Sequence, residues 1–157
     1  MTIAASISTY ILTKLAAIRL GNTVTMLSGG VYAFKTDGGQ LVDLNLEYTE
    51  HPDDMPQIVL ITGDNSSYID ESCELGTENH SQEYSIEGFI ADEKDGSQGQ
   101  LLANDIAAAI KSDPWMGGLI NMLQGFKVAT STHVGDEIFS IAQISFSAVY
   151  VAPYGSE

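Results

Sequence analysis

Basic residues are scarce in this chain. Six Lys and Arg face 21 Asp and Glu among 157 residues, giving a formal net charge of −15. A protein that grips nucleic acid through its phosphates needs a basic footprint, and an anionic membrane surface attracts one. The composition argues against both. Cysteine is nearly absent as well. Cys73 stands alone, so no internal disulfide framework holds the fold. No unbroken apolar run of about 18 residues occurs, as a membrane-crossing helix would need. The longest candidate, Ile3 to Leu20, is interrupted by Lys14, Arg19 and several hydroxyl residues. Its basic residues follow the apolar run, so a secretory signal is not expected and a cytosolic protein is. The familiar signatures of chemistry are also missing. The sequence has no GxGxxG, P-loop, HExxH, GxSxG or CxxC motif.

What the chain does have is enough apolar sequence, 44%, to bury a core. It also has a very uneven charge. Between Glu47 and Asp95 lie fourteen acidic residues and one basic residue, Lys94, a net −13. Acidity is therefore a regional feature. It reads either as a solvated face or as a surface that repels a polyanion or meets a basic partner.

Ile3, Ile7, Ile11, Leu15 and Ile18 recur at helical spacing and predict an amphipathic helix from Ile3 to Leu20. Strands are expected over 24–27, 31–35 and 42–48, with a turn at Asp37-Gly38-Gly39. Ile58-Val59-Leu60-Ile61 reads as a short strand covered on both faces. From Gly63 to Ser81 the sequence is polar and aperiodic and reads as a long acidic loop. Alternation predicts a strand from Tyr84 to Ala91. Leu102, Ile106, Ala109 and Ile110 predict a second helix over about 100–112, ended by Asp113-Pro114. Trp115 to Leu123, with Gly117-Gly118, reads as a short helical turn or loop. Phe126 to Thr132 and Ile138 to Val151 complete the set as strands, the last with Ala142, Ile144, Phe146, Ala148 and Tyr150 on one face. The expected fold class is α+β, a single domain over 1–157 with a mostly antiparallel sheet and two packing helices.

Candidate sites are few. A loose cation site among Asp64, Asp70 and Glu71 lacks the glycine and final glutamate of an EF-hand. No cofactor is expected. His51, His80 and His133 are expected in loops or at strand ends, solvated, and none has metal-ligand spacing from another. A small hydrolase using one of them beside a carboxylate is the contrasting enzymatic reading. A mimic that sequesters a basic partner is another. Trp115 and Met116 before Gly117-Gly118 read either as a cap on the core or as an aromatic anchor at a subunit contact.

The layout resembles the tail terminator proteins of long-tailed bacteriophages, the family of minor tail protein U. The resemblance rests on the opening helix, on Met55-Pro56-Gln57-Ile58-Val59-Leu60-Ile61 ahead of a long loop, and on the strand Tyr84 to Ala91. It rests further on the helix Leu101 to Lys111, on Asp113-Pro114-Trp115-Met116-Gly117-Gly118-Leu119, and on the closing strand pair. It implies a non-catalytic virion protein that closes into a hexameric ring at the tail-neck junction, after assembly in the host cytoplasm. Such a ring would cap the tail tube protein, end tube polymerisation and offer a face to a neck or head completion protein. DNA would pass through it unbound, with no role for a membrane. Another neck or tail-completion protein is the nearest alternative. On this reading Trp115, Met116, Gly117 and Gly118 are the candidate interface, and Asp64, Asp70 and Glu71 the candidate assembly loop. Asp92, Glu93 and Asp95 are the candidate lumen acids.

Overall fold

A computed structural model describes residues 2–16, 18, 57–71 and 73–155. The strands expected over 24–27, 31–35 and 42–48, and His51, lie outside the described residues. Within them the protein is α+β. Helix α1 (Ile3–Ala16) is followed by strands β1 (Gln57–Tyr68) and β2 (Thr77–Ala91), helix α2 (Ser97–Lys111), a 3₁₀ turn (Met116–Gly118), and strands β3 (Met122–Val134) and β4 (Ile138–Pro153). The four strands form one antiparallel sheet in the order β1-β2-β4-β3.

Helix α1 begins where the Thr2 hydroxyl accepts the Ala5 N–H at 3.1 Å, satisfying one of the free donors of the first turn. Its described extent is Ile3–Ala16, and the rest of the expected stretch to Leu20, apart from Ile18, lies outside the described residues. The Ile18 N–H bonds back to the Leu15 carbonyl, three residues away, which tightens the chain out of the helix. Ile7, Ile11, Leu15 and Ile18 are all buried.

The core lies between the two helices and one face of the sheet. Tyr84, Ile86 and Ile90 of β2 and Ala142, Ile144, Phe146 and Ala148 of β4 supply that face. The alternation read from β4 holds over 141–148, and Val149 beyond it is buried as well. Gly88 sits opposite Ala142 in the ladder. A side chain there would come within 2.8 Å of Leu102 and 3.1 Å of Ile106, so the missing Cβ lets α2 lie close on the sheet.

The expected long acidic loop over 63–81 is a correction. Residues 63–68 extend β1 and residues 77–81 begin β2, so the connection is confined to 69–76, of which 72 is not described. The sequence there is polar for a specific reason. The β1–β2 register shifts between Thr62 and Asn65, a bulge at Gly63-Asp64. The Gln82 amide donates to the Gly63 carbonyl at 2.9 Å and reaches that of Asp64 at 3.4 Å, filling in for the ladder bonds the bulge disrupts.

Strand β3 is an edge among the described strands and is largely exposed on both faces. Its Leu123 and Phe126 pack against the core. Phe126 is held on both sides. It stacks on Phe146 at 5.7 Å, and the Lys111 ammonium sits 4.4 Å above its ring.

Candidate functional site

The sequence-predicted residues fall in three places. The first is the knuckle between α2 and β3. Asp113 organises it. Its Oδ2 accepts the Tyr10 hydroxyl and the Gly117 N–H, both at 2.7 Å, and its Oδ1 accepts the Trp115 N–H at 3.3 Å. These bonds tie the turn to α1. Hydrogen bonds from Tyr10 and Gly117 hold the Asp113 carboxyl below its usual range. The same bond, with burial and the nearby negative charge, pushes the Tyr10 phenol up to about 12. Asp113→Asn is therefore expected to bring Tyr10 down toward 10.0, with carbon-detected NMR of the tyrosine ring reading the titration. A Tyr10 that still titrates near 12 in that variant would remove Asp113 as the cause.

The knuckle separates the four candidate interface residues. Trp115 is 60% exposed, and Gly117 and Gly118 are exposed with φ of 68° and 87°. Met116, at φ 47°, is turned inward and fully buried in the core. Met116 is thus a core residue and no part of a surface contact. The reading of Trp115 as a core cap also gives way, since most of its surface faces solvent. The side-chain directions follow from backbone that leaves the usual region at successive residues, which spacing alone does not show.

The second place is the turn from β2 into α2. Asp92 was a candidate lumen acid, but its carboxylate is fully engaged. Its Oδ1 accepts the N–H of Glu93 (2.7 Å) and Gln98 (3.1 Å), and its Oδ2 accepts the Gly99 N–H (2.8 Å) and the Ser140 hydroxyl (2.6 Å). Burial works to raise the pKa, and the four donors outweigh it and hold the carboxyl low. Asp92 is a clamp between β2, α2 and β4. Glu93 and Asp95 are exposed and remain available to solvent.

The third place is the β1–β2 hairpin. Asp64 belongs to β1, while Asp70 and Glu71 sit in the turn. Asp70 accepts the Asn79 amide at 3.3 Å and faces Cys73 Sγ at 3.7 Å. Among the described residues no group of three or more His, Cys, Asp or Glu is placed to hold a metal ion. No described helix is long and apolar enough to cross a membrane.

His80 is a further correction. It was expected at the surface, and it is 2% exposed inside β2. Its Nδ1 meets Asn65 Oδ1 at 2.8 Å and its Nε2 meets Glu78 Oε1 at 3.0 Å. Its ring stacks on Tyr150 at 5.1 Å. The Asn65 amide donates to Gln82 Oε1 and Tyr150 Oη, which fixes its carbonyl toward His80. None of the surface grooves along the open sheet face, under β3 or at the hairpin tip is lined by His80 or Glu78. The pair is a polar plug in the end of the core. His133, by contrast, is exposed and stacks on Phe139 at 4.8 Å. The alternating register that carries Tyr84 and Ile86 inward also carries Gln82 and His80 inward. Extending β2 backward by that rule was the signal that would have found them.

The sequence matches no protein-family model and no curated protein.

Proposed function

We propose that the chain is a ring-forming tail terminator of a long-tailed bacteriophage. It caps the tail tube, ends its polymerisation and presents a joining face to a neck protein. The observation that carries this reading is the knuckle after α2. It is the most specific element of the family resemblance, and it holds Trp115 out to solvent on a turn anchored by Asp113 to Tyr10. A large aromatic side chain on a braced turn is suited to anchor a subunit contact. The α+β architecture agrees with the layout the resemblance implies. The charge agrees as well. Six copies of a chain at −15 carry roughly −90, which disfavours holding DNA that passes through.

The test joins native mass measurement across concentrations with electron microscopy of tail-tube subunits polymerised with and without the chain. The expected result is a sixfold assembly, alone or on tube ends, and shorter tubes. Persistent monomers and tubes of unchanged length would sink the proposal. Trp115→Ala is expected to change stability by less than about 0.5 kcal/mol in chemical denaturation, because the side chain is exposed. The same variant should weaken assembly about tenfold or more. The lumen role now rests on Glu93 and Asp95 alone. Neutralising that pair tests it without disturbing the Asp92 clamp, and unchanged DNA retention and ejection would count against it.

A further inference from the structure

The tip of the β1–β2 hairpin exposes apolar side chains. Leu75 is fully exposed, and Ile69 and Tyr154 are 63% and 68% exposed. Together with Cys73 and Gly76 they line a groove of about 480 Å³. The groove is built. Tyr154 N–H bonds to the Gly76 carbonyl at 2.8 Å, joining the end of β4 to the tip. Cys73 and Thr77 N–H groups close successive turns onto the carbonyls of Asp70 and Glu74, at 3.1 and 3.0 Å. The hairpin itself carries charge of one sign. Residues 57–91 contain seven acidic residues and no Lys or Arg, and Asp64, Asp70, Glu71 and Glu74 are all exposed. An apolar floor inside a charged rim is the usual anatomy of a protein contact.

We propose that this tip docks a segment of a partner protein that carries apolar side chains beside Lys or Arg. The negative rim selects a basic segment and speeds its encounter, while Ile69, Leu75 and Tyr154 supply the apolar contact. A second copy of this chain is a poor occupant, because a twofold contact sets two acidic tips against each other. The proposal does not depend on ring formation.

The experiment titrates the full isotope-labelled chain with a peptide of alternating Leu and Lys, followed by amide shifts at about 0.15 M salt. Oligolysine and a Leu–Glu peptide serve as comparisons. The expected result is saturable shifts confined to residues 68–77 and Tyr154 with the Leu–Lys peptide only. Ile69→Ser and Leu75→Ser should each weaken binding about tenfold, the size of an ordinary interface anchor. Glu71→Gln with Glu74→Gln should weaken it similarly and flatten its salt dependence. Equal binding of oligolysine, shifts centred elsewhere, or unaltered binding by the serine variants would overturn the proposal. So would self-association in sedimentation that Leu75→Ser abolishes while the peptide fails to bind, which would assign the tip to a second copy.

Discussion

His80→Ala is expected to cost about 3–5 kcal/mol of folding stability, because it leaves two buried hydrogen-bond partners unmatched and opens a cavity. The truncation leaves the Glu78 carboxylate in the core wall without its nearest partner, with the Gly155 N–H at 3.3 Å still facing it. It strands the Asn65 carbonyl, which is held in place by the two bonds its amide makes to Gln82 and Tyr150. It also opens a void beside the Tyr150 ring. Urea denaturation followed by circular dichroism measures the sum. The double variant His80→Phe with Glu78→Leu keeps volume and a ring against Tyr150 while replacing both polar partners together. It should recover about half of the loss, because apolar replacement of a buried pair is far cheaper than breaking it. A loss below about 1 kcal/mol in His80→Ala would mean the pair is not held as tightly as its geometry states.

The same network explains where sequence reading stops. The apolar stretches were legible, since Ile7, Ile11 and Leu15 repeat at helical spacing and Ala142, Ile144, Phe146 and Ala148 alternate with polar residues. Gly63-Asp64-Asn65-Ser66-Ser67 carries almost no strand propensity. It is a strand because β2 offers it a ladder and because Asn65, Gln82 and Tyr150 satisfy one another inside it. Composition marks such a stretch as loop, and only pairing reveals it. The knuckle was legible as an element, from Asp113-Pro114 and Gly117-Gly118, but the inward turn of Met116 depends on a positive φ that no spacing encodes. Asp92 was visible as an acid near a helix start. Its four donors come from residues up to 48 positions away, and sequence distance conceals the one from Ser140.

Asp92→Asn is expected to cost about 2–3 kcal/mol near pH 7, and the loss should shrink in acid. The α2 cap residue supplies no side-chain bond, and close by only Asp95 Oδ1 accepts the first helix N–H, that of Ser97, at 3.1 Å. Gly96, at φ 70°, occupies the cap position without a side chain, and a Cβ there would meet Thr132 Oγ1 at 2.7 Å. Asp92 reaches in from upstream and accepts the second and third N–H groups of the helix, Gln98 and Gly99. Its negative charge also opposes the positive end of the helix dipole. Its Oδ2 meets two donors, and one is the fully buried Ser140 hydroxyl, which in turn accepts from Thr132 at 2.9 Å. An asparagine can keep one acceptor oxygen. Its amide then points donors at donors on the other side, so one of these groups goes unpaired. The carboxylate is only partly buried, and solvent screening keeps the expected figure within that of a single charge-assisted bond although four donors meet it. The sign of the pH effect follows from the folded state favouring the ionised form. Stability from Asp92 is fully present above the unfolded carboxyl value near 4 and is lost as pH falls from there through the lower folded value. Wild type and Asp92→Asn should therefore differ most at neutral pH and converge toward pH 2 in parallel urea titrations. An equal gap at pH 7 and pH 2 would show that shape, and not charge, holds this corner of the fold.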